Sequence, residues 1–438
     1  MTSDPVKVVV TSVDAYGHLN SALGIAQSLQ KRGNDVYFAN RKHHRASVEK
    51  RGLKFIALED YEDSYTEANA DFFVDMMTQY MEKAELTPME RLETWDENDT
   101  KMFLGVIDEL KHLNNALTKI VDDKKPDIMV ADVIFALPLF VNGPIPCIPL
   151  YSASPLILYY DYGISPGAGL SINGDRDFWK IYRDKEREIY QQINIEFSKW
   201  FTSFGLEPVD IYKFASFAKY FGIYVYPEAL DYGQDLGPPP SNWVRMDFSI
   251  REPEQSDFTI PESLANKPGK LIYLSMGSLG SVHIPLMKRL INTFSKSKHR
   301  FIVSKGPRGD ALTLPDNMWG ENYVNQLAIL PKVDLVLTHG GNNTTVESLY
   351  FGKKMIILPM FYDQLDNAQR LEDLKLGLRV DPFRYDEDEI HKLVDELLEN
   401  TEIQDRITKI SDQLKNSKSR EKVLELIEKT ARTKSSPL

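Results

Sequence analysis

Cysteine is nearly missing. A single residue, Cys147, stands among 438. That excludes a disulfide within the chain and any cysteine-rich metal site. Basic residues are in the minority: 52 Lys and Arg face 64 Asp and Glu, for a formal net charge of −12. A chain of that sign does not suit a nucleic-acid groove or an anionic membrane surface. No stretch approaches the roughly 18 uninterrupted apolar residues of a membrane span. The opening residues, MTSDPVKVVVTSVDAYGH, hold a short apolar run without a basic leader and a long apolar region, so they do not read as a signal peptide. The expectation is a soluble, cytoplasmic protein without a membrane anchor. The three-glycine dinucleotide fingerprint is also missing, because the first strand-to-helix loop reads SVDAYGHLNSALG. No nicotinamide or flavin cofactor is expected.

What is present is apolar patterning. Hydrophobic residues make up 42% of the chain. The length exceeds what one core supports, since single cores stop growing at about 250–300 residues. Val6 to Thr11 is valine-rich and reads as a buried parallel strand. Leu19, Leu23, Ala26 and Leu29 recur at helical spacing, Gly33 stops that helix, and Val36 to Ala39 is the next strand. Phe103 to Val121 predicts an amphipathic helix, Asp127 to Asp132 a strand, and Asp175 to Phe204 one long charged helix. Phe221 to Tyr226 reads as the last strand of the first domain. Gly237-Pro238-Pro239-Pro240-Ser241 is the strongest break, and an interdomain linker is placed at 237–255. Domains are thus expected at 1–236 and 256–415, with the tail at 416–438 helical.

The second half centres on Asp334 to Asn367, DLVLTHGGNNTTVESLYFGKKMIILPMFYDQLDN. A buried strand runs into His339, Gly340 and Gly341, a helix follows to Tyr350, and Met355 to Leu358 is another strand. A loop between a strand's carboxyl end and a helix start is the usual ligand position in an open parallel sheet. Its glycines let the backbone approach closely, Asn343 and Thr344 supply donors, and the helix N-terminus attracts anions. Those properties suit a diphosphate. Glu347, one turn in, is a carboxylate for two vicinal hydroxyls.

This stretch resembles the donor-binding signature of UDP-dependent glycosyltransferases, a His-x-Gly-x-Asn-Ser/Thr-x-x-Glu core ending in Asp-Gln. His339, Gly341, Asn343, Thr344, Glu347, Asp363 and Gln364 stand at matching spacing. The resemblance implies the GT-B fold, two facing Rossmann-like doubly wound domains with the site between them and a last helix crossing back onto the first domain. It implies Ser278, in the loop Gly277-Ser278-Leu279-Gly280-Ser281, as a further donor contact. It implies sugar contacts from Asp363 and Gln364, the Gln going with glucose. Where the family has Trp-x-Pro-Gln, this chain reads Tyr323-Val324-Asn325-Gln326. Tyr323 still offers an aromatic face, and main-chain groups near Val324 can read a uracil edge, with Gln326 beside them.

His18, at the start of the first helix, is the candidate general base. The helix dipole there favours the neutral imidazole that a base needs. The competing reading is a surface His at a helix start. Asp132, at the carboxyl end of a buried strand, needs a partner, and His18 is the candidate, the alternative being an acid that caps the next turn. The Gly17-His18 pair and the Pro126–Asp132 segment resemble the family's catalytic elements, with Ser21 where proline is common. The implied reaction is inverting transfer of a sugar, glucose by analogy, from a UDP-sugar to a hydroxyl of a small lipophilic acceptor such as a phenol, flavonoid or other xenobiotic. No cofactor or metal is expected. A UDP-sugar epimerase, sugar transfer to a lipid-linked intermediate, and a non-catalytic sugar-nucleotide binder are the alternatives.

Three further groups are read from residues alone. His43 and His44 are adjacent, so on a strand or loop they point apart; metal ligation would want helical i, i+4 spacing or further partners, and the pair reads as solvated. Phe72, Phe73, Met76, Met77, Tyr80 and Met81 suit either core or an acceptor pocket, with core the simpler reading. Tyr159, Tyr160, Tyr162, Phe178 and Trp179 suit a flat acceptor or core equally.

Overall fold

The computed structural model describes residues 4–62, 80–210, 213, 217–252 and 258–438. Phe72, Phe73, Met76 and Met77 lie outside these residues. Thirteen strands among the described residues form two sheets, every pair parallel. In the first, β1 (Lys7–Ser12), β2 (Asp35–Asn40), β3 (Lys54–Ala57), β4 (Ile128–Asp132), β5 (Cys147–Tyr151), β6 (Gly222–Val225) and β7 (Trp243–Met246) run in the order β3-β2-β1-β4-β5-β6-β7. In the second, β8 (Leu271–Ser275), β9 (Arg300–Ser304), β10 (Met318–Glu321), β11 (Leu335–Thr338), β12 (Lys354–Ile357) and β13 (Gly377–Arg379) run β10-β9-β8-β11-β12-β13. Helices cover both faces, which is why these strands read as continuous apolar runs and not as alternating ones.

Both orders reverse at one place, between β1 and β4 and between β8 and β11. Adjacent loops there leave in opposite directions and open a crevice at the strands' carboxyl ends. Ser12 sits beside Asp132 in the first sheet, and Ser275 beside Thr338 in the second. The residues that follow these positions are the ones singled out from the sequence.

Two boundaries differ from expectation. The segment read as a linker, 237–255, contains β7, which pairs with β6, so the first sheet continues beyond residue 236. The prolines break the chain only before that strand. The long helix expected from Asp175 to Phe204 is two helices, Arg176–Ile189 and Gln191–Thr202. Tyr190 parts them with φ −86° and ψ 2°, and its ring meets Trp95 edge-on at 5.0 Å.

The halves are tied in several places. In the last helix, Ser419–Thr433, Val423, Leu424, Ile427 and Ala431 are buried with Val6, Val8 and Val36 of the first sheet. Arg32 donates two hydrogen bonds of 2.9 Å to Glu428, a forked geometry that fixes orientation. Asp366 accepts from the Gly167 and Gly169 amides at 2.7 and 3.0 Å. Asn342 donates to the Ser152 and Val225 carbonyls at 3.0 and 2.9 Å. Among the described residues no helix is long and apolar enough to cross a membrane.

Candidate active site

A cleft of about 850 Å³ lies between the two sheets. His18 enters it from the first half, on the helix Tyr16–Lys31. The N-cap, Ala15, has no side-chain oxygen to satisfy the first amides. Ser278, His339, Gly341, Asn343 and Thr344 enter from the loops after β8 and β11. Val324, Gln326, Asp363 and Gln364 complete that wall.

His18 Nδ1 lies 2.9 Å from Asp132 Oδ1 and 3.1 Å from Ser152 Oγ. Ser152 donates to the second Asp132 oxygen at 2.6 Å. With Asp132 ionised, the Nδ1–H is shared between the carboxylate and the hydroxyl. Among the described residues Nε2 has no bonded partner. Burial alone pushes the imidazole pKa down. The Asp132 charge and hydrogen bond outweigh it, Asp363 adds to them, and the net shift is upward. The helix dipole, which favours the neutral ring, is thus overridden by Asp132. Ser152, the first residue beyond β5, was not singled out from the sequence. A lone serine after a strand carries no signal until the neighbouring strand ends are known.

On the other wall, burial holds His339 down at about 4, so its ring is neutral at physiological pH. Glycines flank this ring closely. A Cβ built on Gly277 or on Gly341 would lie 2.5 Å from His339 Nε2. Gly277 also has φ +68°, a left-handed conformation that favours glycine. Gly277→Ala is therefore expected to displace the His339 ring and to cost about 1–3 kcal/mol. Thermal unfolding and a UDP titration of the variant measure the two consequences.

Asp363 is pushed up to about 6 by burial, against the pull of backbone amides and the His18 charge. Its Oδ2 accepts from the Asn342 amide at 3.1 Å. Asp363 and His18 both line the cleft. Gln364 accepts from the Met360 amide at 3.0 Å, which fixes its side chain where it meets the cleft.

Glu347 departs from expectation. Its side chain is fully buried and does not line the cleft. Oε1 accepts from Arg251 at 2.7 Å and from Asn343 at 3.0 Å, and Oε2 accepts from Gln326 at 2.6 Å. The carboxylate expected to meet two hydroxyls instead holds three cleft-wall residues in place. Arg251 comes from the segment after β7, 96 residues away in sequence, so local spacing could not reveal it. Tyr323, expected to offer an aromatic face, packs its ring on Tyr16 of the other half, 5.2 Å between centroids.

The apolar part of the cleft is lined by Trp95, Met102, Phe103, Phe135, Tyr182 and Tyr190. Tyr80 of the expected stripe is also there, while Met81 is buried in the core of the second half. The aromatic group Tyr159, Tyr160, Tyr162, Phe178 and Trp179 is not: three are buried in core, and Tyr162 and Phe178 lie on the surface. Glu186 sits at this end, accepting from Ser165 at 3.0 Å, and burial pushes it up to about 8.

Of His43 and His44, His43 is exposed as expected, whereas His44 is buried and not solvated. They lie on a 3₁₀ turn, Lys42–His44, and not on a strand, so both rings point to one side. Both Nε2 atoms meet Asp14 Oδ1, at 3.0 and 2.7 Å, and His44 is buried.

Residues 301–425 match the family described as Glycosyltransferase family 28 C-terminal domain. Over 98% of this chain and 99% of its own length, YdhE of Bacillus subtilis, an uncharacterised UDP-glucosyltransferase, is 24% identical. The fold is GT-B, and over nearly its whole length the chain is similar to UDP-glycosyltransferases. The NDP-glycosyltransferase YjiC of Bacillus subtilis is 23% identical to this glycosyltransferase, covering 96% of each chain. Among solved structures, the glycosyltransferase of kitacinnamycin superposes with a TM-score of 0.69, at 20% identity, over 97% of this chain and 98% of its own. That likeness bears on the fold of this glycosyltransferase: two facing Rossmann-like units with the cleft between them.

Proposed function

We propose that this enzyme transfers a sugar, glucose by analogy, from a UDP-sugar to a hydroxyl of a small lipophilic acceptor, with inversion at the anomeric carbon. The observation that carries the proposal is the His18–Asp132 pair, set at the cleft floor opposite the donor-type loop. His18 Nε2 takes the proton of the acceptor hydroxyl. The acceptor oxygen forms a bond to the anomeric carbon as the bond to the β-phosphate oxygen breaks, and that electron pair leaves with UDP. Asp132 holds the tautomer and stabilises the imidazolium that forms. Developing negative charge on the leaving group meets Ser278, Asn343, Thr344 and the N-terminus of the helix Asn342–Tyr350. His339, neutral in its glycine slot, offers a hydrogen bond without a competing charge. Asp363 and Gln364 face the sugar hydroxyls. The aromatic end of the cleft suits a phenol or another flat apolar molecule. No residue of this scheme calls on a metal or cofactor.

Incubation with UDP-glucose and a panel of phenolic acceptors tests it. A glucoside with stoichiometric UDP supports transfer. An epimerised sugar nucleotide without a glucoside would instead select the epimerase reading.

The scheme also fixes a pH dependence. His18 must be neutral to accept a proton, and its pKa is raised above the ordinary histidine value of about 6.5. As pH falls through that raised value, kcat/KM is expected to fall with it. Asp132→Asn removes the charge that raises the pKa, so the acid limb should move to lower pH while the plateau rate drops. A plateau drop with an unmoved limb would assign the titration to another group.

A further inference from the structure

Asp14, His43 and His44 form a cluster that the transfer scheme does not use. Asp14 lies in the loop between β1 and the first helix, four residues before His18. Its Oδ1 is 3.0 Å from His43 Nε2 and 2.7 Å from His44 Nε2. The two Nε2 atoms are themselves 3.0 Å apart. A carboxylate oxygen can accept from both rings, but Asp14 Oδ1 then gathers two N–H groups whose nitrogens stand only 3.0 Å apart. A cation at the shared point satisfies all three atoms at once.

We propose that these residues form a site for one divalent first-row transition-metal ion, of the Zn²⁺ or Ni²⁺ class. Two imidazole nitrogens and one carboxylate oxygen are borderline donors that suit such ions and not Mg²⁺ or Ca²⁺, which take oxygen. The spacing fits. With metal–ligand bonds of about 2.1 Å, three ligands at right angles stand about 3.0 Å apart, and three tetrahedral ligands about 3.4 Å apart. The cluster therefore matches one face of an octahedron, and opening by about 0.4–0.7 Å gives the tetrahedral case. His44 is fixed by burial and by the edge of the Tyr16 ring at 5.5 Å. His43 is the exposed ligand, its side chain 58% accessible. All three residues line the cleft, so the remaining coordination positions are open to the cleft and to solvent. A bound ion braces the loop from Ser12 to Tyr16, whose Val13 amide is already held by the Asp132 carbonyl at 3.0 Å.

Calorimetric titration of chelator-treated full-length protein with Zn²⁺, Ni²⁺ and Mg²⁺ tests the site. The expected result is one Zn²⁺ or Ni²⁺ per chain and no Mg²⁺ uptake. His43→Ala changes an exposed ring, so the fold should persist, as melting will verify. Affinity in that variant should fall by about 100-fold or more, since even loss of a residue behind a ligand costs 10–100-fold. Asp14→Asn should weaken binding in the same direction. Absence of stoichiometric uptake by the native protein overturns the proposal, as does undiminished affinity in folded His43→Ala.

Discussion

His18→Ala is expected to lower kcat by roughly 10²–10⁴-fold, the usual worth of a positioned general base, while UDP affinity changes by no more than about twofold. The two readouts separate because the residues come from different halves. His18 stands on the first sheet's switch point and the donor-type loop on the second's. The remaining link between them is Asp363, whose pKa the His18 imidazolium lowers and neutral alanine does not. Stopped transfer with intact UDP binding is the signature of a base. Loss of UDP binding in step with turnover would make His18 a structural residue of the cleft, and the proton acceptor would have to be sought elsewhere.

Glu347→Ala is the second large effect, and its main readout is stability. Removal of one member of a buried ion pair leaves the other charge uncompensated, at a cost of about 3–5 kcal/mol. Glu347 is fully buried and the Arg251 side chain is 11% exposed, so the lower end, about 3 kcal/mol, is expected. Gln326 and Asn343 lose their acceptor as well, so donor affinity should fall together with the melting temperature. Glu347→Gln keeps one acceptor and should fall between the two. An unchanged melting temperature with weakened UDP binding would contradict the buried-anchor role. It would mean that Glu347 leaves Arg251 and meets the ribose, as the signature implies.

These two residues show where sequence reading succeeds and where it stops. The His18–Asp132 contact is legible because a histidine at the first strand-to-helix loop stands out on local grounds and an acid ending an apolar strand demands a partner. The same holds for Asp334 to Asn367, one strand–loop–helix–strand unit in which spacing in sequence is spacing in space. Glu347 was named correctly as a motif member, yet its surroundings are set by Arg251 from a distant segment. The same holds for Ser152, which meets His18 across 134 residues, and for Asn342, which meets Ser152 across 190. His43 and His44 were read apart because adjacency on an extended chain separates side chains, whereas a 3₁₀ turn places them together. Strand β7 was hidden by the prolines before it, whose break ends at Pro240 just ahead of the sheet.

The fold follows from buried parallel strands and their switch points. The proposed chemistry rests on one hydrogen-bonded pair facing one loop. The most direct test of that claim is the anomeric configuration of the product made from UDP-glucose and a phenolic acceptor, read by proton NMR. In-line attack from the His18 side predicts a β-glucoside from the α-linked donor, formed by the native enzyme and not by His18→Ala. An α-glucoside, or a β-glucoside formed equally well without His18, would contradict the account.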